Sequence, residues 1–108
     1  MTGPARGLGP PGGRGSLEGV SDAAWFVYVL VSATGGRTYV GIALEVERRL
    51  AQHNGQARGG ARSTRAGRPW RVGVVYGPFA GRGAALRAER AVKRLRGPRR
   101  LSWAPAGS

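Results

Sequence analysis

Few side chains in this sequence could act on a substrate. There is no cysteine, which excludes disulfides, thiol nucleophiles and thiolate metal sites. The acids are Glu18, Asp22, Glu45, Glu47 and Glu89. Glu45 and Glu47 fall in the first turn of a helix expected over 45–54, where a carboxylate favours the positive end of the macrodipole. Glu89 stands alone from Arg48 to the C-terminus, beside Ala85, Ala88 and Val92 in helical space. It has two readings: a metal ligand, or the partner of Lys93 in an i,i+4 ion pair worth a few tenths of a kcal/mol. Arg49 and His53, four apart, share a face with Val46 and Leu50, so two polar groups point inward and need partners. They are either a snorkelling arginine beside a satisfied histidine, or a cation aimed at a phosphate with an acid–base group one turn away. Tyr28 and Tyr39 lie on two arms of an expected hairpin. An even-length turn puts both on one face, because side chains alternate along a strand.

The elements that must hold these residues are short. Trp25 to Val31 is an aromatic and β-branched run that fits a buried strand. Ser32 to Gly36 is its turn, with Gly35-Gly36 able to take positive φ, and Arg37 to Ile42 is the second strand. The helix over 45–54 follows. Residues 55–69 are rich in glycine and arginine without periodicity, which predicts a basic loop. Trp70 to Tyr76 reads as a third strand with Val72, Val74 and Tyr76 on one side, ended by Gly77, Pro78 and Gly81. Residues 83–96 form a helix with an apolar seam of Ala85, Ala88, Val92 and Leu95, stopped by Gly97-Pro98. The expected fold class is α+β: a small, antiparallel three-stranded sheet flanked by helices. Three segments are expected: a disordered leader over 1–22, crowded with glycine and proline; a folded domain over 23–97; and a basic tail over 98–108, whose Leu101 and Trp103 could dock back on the core.

Eighteen basic residues face five acidic ones, a formal net charge of +13 on 108 residues. A compact chain with that excess repels itself and attracts polyanions, nucleic acid first among them. Lys93 is the single lysine; because the unstructured tail shares the arginine bias, a GC-rich genome explains it better than phosphate recognition. No apolar run is long enough to span a membrane and nothing resembles a signal peptide, so a cytoplasmic protein is expected.

Val27-Tyr28-Val29 followed by Tyr39-Val40-Gly41 resembles the paired motifs that name the GIY-YIG nuclease superfamily. Arg49, within Val46 to Asn54, and Glu89, within Ala84 to Glu89, match the arginine and glutamate that follow on successive helices. The resemblance covers residues 25–96 and is closest to the small single-domain bacterial members. Gly59 to Thr64, through Pro69-Trp70, also resembles the nuclease domain of the eukaryotic structure-specific junction endonuclease. Two features depart from the pattern: valines flank Tyr28 in place of Gly and Ile, and no asparagine follows the glutamate helix, Asn54 being the single one.

This resemblance implies a metal-dependent endonuclease acting on DNA, in a bacterial, nucleoid-associated setting. Glu89 would hold one divalent ion, Mg²⁺ or Mn²⁺. Arg49 would stabilise the phosphorane, and Tyr28 would orient or deprotonate the attacking water with His53 as its helper. Tyr39 would position the phosphate or water. Gly41, Arg58, Arg62, Thr64, Arg65, Arg68 and Lys93 would line the nucleic-acid surface and contact mainly the phosphate backbone. A protein partner would supply targeting. The competing reading is a nucleic-acid-binding module without turnover on the same scaffold.

Overall fold

A computed structural model describes residues 23–105; the expected leader and the last three residues lie outside it. Three strands, β1 (Ala24–Ser32), β2 (Thr38–Ala43) and β3 (Trp70–Ala80), form one antiparallel sheet in the order β2-β1-β3. Helix α1 (Val46–His53) follows β2, and helix α2 (Arg82–Arg94) follows β3. Short 3₁₀ turns occupy Arg62–Thr64 and Gly97–Ser102. No helix among the described residues is long and apolar enough to cross a membrane.

The central position of β1 explains its composition. Both of its faces are covered, so it has no polar alternation and reads as a continuous apolar run. Val27 and Val29 point to one side and pack with Val40 against Ala88 and Val92 of α2. Tyr28 and Leu30 point to the other and pack with Ala43 and Trp70, with Val46 and Leu50 of α1 beside them. Each helix therefore covers one face of the sheet. Gly35 and Gly36 take positive φ, as the turn requires, and the Ser32 amide donates to the Arg37 carbonyl at 2.9 Å to close it.

Strand β3 differs from expectation in two ways. Val29 faces Val74 but Leu30 faces Val72, so Gly73 is the extra residue of a bulge. The slip reverses the side-chain phase. Val74 and Tyr76 join the α2 side while Val72 joins the α1 side, which corrects the expectation that all three share a face. The strand also runs on through Gly77 and Pro78 to Ala80. A second register shift between Trp25 and Val27 accommodates them, and β3 is an edge strand, where proline costs no ladder bond.

The tail after α2 is tied down. Arg100 donates to the carbonyls of Leu95 at 2.8 Å and Lys93 at 3.0 Å, satisfying the end of α2, and to the Thr38 hydroxyl at 3.0 Å. The Tyr76 hydroxyl donates to the Arg100 carbonyl at 2.6 Å and accepts from the Trp103 amide at 2.9 Å. Trp103 stacks edge-on against Tyr76 with ring centroids 5.1 Å apart.

Candidate active site

The site lies on the α1 side of the β1–β2 hairpin. Tyr28 pairs across the sheet with Gly41, and Leu30 pairs with Tyr39. Both tyrosines therefore emerge on one face, with ring centroids 6.3 Å apart. Tyr28 is 1 % exposed. Its ring crosses directly over Gly41, where a Cβ would come within 2.5 Å of the phenolic oxygen. Gly41 is thus a glycine because Tyr28 needs the space. It is buried, which corrects its expected place on the nucleic-acid surface.

α1 presents His53 to the same spot. The imidazole is completely buried, and its Nε2 shares a hydrogen bond with the Tyr28 hydroxyl at 2.9 Å. The Tyr39 ring lies 4.6 Å from the imidazole, centroid to centroid. On the opposite edge of the ring, the Ala61 amide donates to Nδ1 at 3.2 Å, and the Thr64 hydroxyl oxygen stands 3.2 Å from the same nitrogen. Burial, followed by the positive charges of Arg49 and Arg68, lowers the His53 pKa from 6.5 to about 4. The ring is therefore neutral near pH 7.

Arg49 is half-buried one turn before His53, and its guanidinium is held by the Gln52 side chain. Four influences meet at Tyr28. Burial pushes its hydroxyl above the ordinary value of 10.0, and the hydrogen-bonding Arg49 guanidinium pulls it back. The Tyr39 hydroxyl and the Glu89 carboxylate add to the rise. Glu89 itself is carried by α2, which packs on the other face of the sheet from Tyr28. Glu89 also pairs with Lys93 at 3.4 Å, and its side chain is 16 % exposed. The i,i+4 ion pair considered from sequence therefore exists, and Lys93 is its partner.

The donor set limits what the site could hold. Among the described residues no group of three or more His, Cys, Asp or Glu side chains comes together. What the site offers is one partly solvated carboxylate. That fits a hard divalent cation that keeps most of its waters and takes phosphate oxygens as further ligands. It does not fit zinc, which wants three or four protein ligands.

The expected binding loop divides into two parts. Arg58, Arg62, Arg65 and Arg68 are all exposed, although Arg68 also ties the loop down by donating from Nε to the His53 carbonyl at 2.7 Å. Thr64 is completely buried, and its hydroxyl donates to the Ala61 carbonyl at 2.6 Å. It cannot reach a phosphate, which corrects its assignment as a surface contact. The Trp70 indole donates to the Thr64 carbonyl at 2.6 Å, and Asn54 grips the Trp70 backbone twice, donating to its carbonyl at 2.9 Å and accepting from its amide at 2.6 Å. Sequence reasoning missed these supports. A loop without periodicity gives no facing rule; the one available signal was that an inward histidine needs partners.

The sequence model describing the GIY-YIG catalytic domain matches residues 24–102. A UPF0213 protein of Cupriavidus pinatubonensis is 42 % identical over 80 residues, covering 73 % of this chain and 83 % of the relative. The human structure-specific endonuclease subunit SLX1 is 36 % identical over 93 residues, 85 % of this chain but 34 % of the relative. Its homolog in Cryptosporidium parvum is 42 % identical over 62 residues, 57 % of this chain and 15 % of the relative. The chain thus spans about a third or less of these endonuclease subunits but most of the bacterial protein.

Proposed function

Because the chain belongs to the GIY-YIG catalytic-domain family, we propose that it is a metal-dependent endonuclease that hydrolyses DNA phosphodiester bonds. The observation that carries this reading is the gathering of Tyr28, Tyr39 and His53 on one face, with Arg49 on the same helix as His53. Hydrolysis of a phosphodiester needs an oriented water, relief of charge on the phosphorane and help for the leaving oxygen. Arg49 supplies a fixed cation where that charge develops. The Tyr28 oxygen orients the attacking water, and the half-buried Tyr39 positions the phosphate. Glu89 holds one divalent cation, Mg²⁺ or Mn²⁺, which when bound supplies Lewis acidity and an acidified water. The exposed arginines of the 55–69 loop hold the DNA backbone.

The relatives named structure-specific endonuclease subunits extend the proposal in two directions. The substrate is a branched or nicked DNA met in repair or recombination, and a partner protein supplies the targeting. The test is cleavage by the full chain, with Mg²⁺ and with Mn²⁺, of a panel of branched, nicked, single-stranded and plain duplex DNAs. Glu89→Ala should abolish cleavage and leave DNA binding intact or slightly tighter, since a negative charge is lost near a polyanion. Glu47→Ala, which removes an exposed acid from α1, is the control. Equal rates for wild type and Glu89→Ala would sink the assignment. A wild type that binds the whole panel and cuts none of it would make the chain a non-catalytic binding module, with the Glu89–Lys93 pair a purely structural contact.

A further inference from the structure

The hydrogen bonds around His53 determine which way its contact with Tyr28 runs. A neutral imidazole has one N–H and one lone pair. The Ala61 backbone amide can only donate, and it is directed at Nδ1 from 3.2 Å. An Nδ1 carrying a proton would set two N–H donors against each other at 3.2 Å beside a completely buried ring, with no acceptor between them. The lone pair therefore sits on Nδ1 and the proton on Nε2, the nitrogen 2.9 Å from the Tyr28 oxygen. The Thr64 hydroxyl donates to the Ala61 carbonyl at 2.6 Å across the Arg62–Thr64 turn, and its oxygen stands 3.2 Å from the same Nδ1. Unlike the fixed amide, a hydroxyl can rotate to donate to either neighbour, so it is compatible with a lone pair on Nδ1.

We infer that the 61–64 turn locks His53 in its Nε2–H tautomer, so that His53 donates to the Tyr28 oxygen and cannot be the base that takes the Tyr28 proton. Ala61 and Thr64 are then positioning residues acting through His53. The Tyr28 oxygen then accepts from His53 and keeps its own proton. The lowered pKa of His53 agrees, because a ring that resists a second proton keeps this single tautomer through neutral pH. The consequence for cleavage rests on the endonuclease reading; the tautomer does not.

The chain contains one histidine, so long-range ¹H–¹⁵N correlation of the uniformly ¹⁵N-labelled full chain at pH 7 reports this ring alone. A pyrrole-type Nε2 and a pyridine-type Nδ1 are expected. A pyrrole-type Nδ1, or two protonated nitrogens, would overturn the inference whether or not the protein cuts DNA. The kinetic arm separates donor from base. The side-chain amide of His53→Gln carries an N–H to about the place of Nε2–H, whereas His53→Ala carries nothing. A donor role predicts that His53→Ala loses about 10²-fold or more in kcat, and that His53→Gln recovers at least about tenfold of it. Folded Gln and Ala variants that are equally slow would remove the donor role. Thr64→Val should lower kcat with KM little changed and disturb the ring ¹⁵N pattern, while Thr64→Ser preserves both. A Thr64→Val protein that melts earlier with kcat and the ring pattern intact would make Thr64 merely structural and overturn its positioning role. If the wild type cuts no substrate, the proposed function fails, and the ring spectrum still decides the tautomer.

Discussion

At the residue scale, the site depends on atoms that only just fit. Gly41 has room for a hydrogen but not for a methyl, since an added Cβ would meet the Tyr28 hydroxyl and Cζ at 2.5 and 2.7 Å. Gly41→Ala should push the Tyr28 ring off His53. A stability loss of about 1–3 kcal/mol is expected, as for other overpacked sites, together with a loss of cleavage larger than partial unfolding explains. Urea unfolding alongside kcat checks both, and a fully active Gly41→Ala would show that Tyr28 need not lie where it does. His53 makes a second prediction. Its folded pKa of about 4 lies below the ordinary 6.5, so the unfolded chain binds the extra proton between those two values. Stability from this group is complete above pH 6.5 and is lost as pH falls towards 4. The full effect is about 3 kcal/mol. Unfolding free energies at pH 4 and pH 7 should differ by about that much in the wild type. The difference should shrink in His53→Gln, which cannot titrate, and an unchanged pH dependence there would assign the effect to other groups.

At the element scale, the loop between α1 and β3 is fastened at both ends. Asn54, at the C-terminus of α1, makes two hydrogen bonds to the backbone of buried Trp70, the first residue of β3. Trp70 in turn holds the Thr64 carbonyl and lies 6.5 Å from the Tyr39 ring. Asn54→Ala leaves a buried amide and carbonyl without partners, at a cost of about 1–3 kcal/mol. Chemical denaturation should show that loss, and kcat should fall less than in His53→Ala, because the hydrogen bond to Tyr28 is kept. Stability equal to the wild type would mean that water replaces both bonds. Asn54 is the single asparagine of the chain, and here it fastens a loop to a strand.

At the scale of the whole molecule, the charge of +13 is placed unevenly in function. Arg49 and Arg68 depress the His53 pKa, and Arg100 caps α2 and bonds Thr38. Arg58, Arg62, Arg65 and Arg68 remain exposed on the loop that supports His53. If these four contact DNA phosphates, each contributes about 0.9 to the slope of log K against log salt. Replacing all four with Gln should flatten the slope by up to about 3–4 and weaken binding to unrelated sequences alike. Titrations at several salt concentrations measure it, and an unchanged slope would remove the loop from the DNA surface.

Local signals in the sequence settled a good deal. The apolar run from Val27 to Val31, the Gly35-Gly36 turn and the seam of Ala85, Ala88 and Val92 follow from periodicity and turn chemistry, which involve neighbours within a few residues. The hairpin phase that puts Tyr28 and Tyr39 on one face follows in the same way, as does the shared face of Arg49 and His53. The motif residues identified the family, because their order along the chain is preserved whatever lies between them. Contacts between segments far apart in sequence were decided by the tertiary structure. The bulge at Gly73 reversed the phase of β3, because a register slip is set by the partner strand and leaves no mark on a pattern of alternate valines. Thr64 passed from expected surface contact to buried support, because an aperiodic loop carries no rule for which side chain turns inward. The tautomer of His53 depended on Ala61, eight residues away, whose contribution is a backbone amide and so is independent of residue type. Polarity, spacing and helical phase can be read along the chain, but the donor that meets each buried acceptor is selected only when separate segments pack.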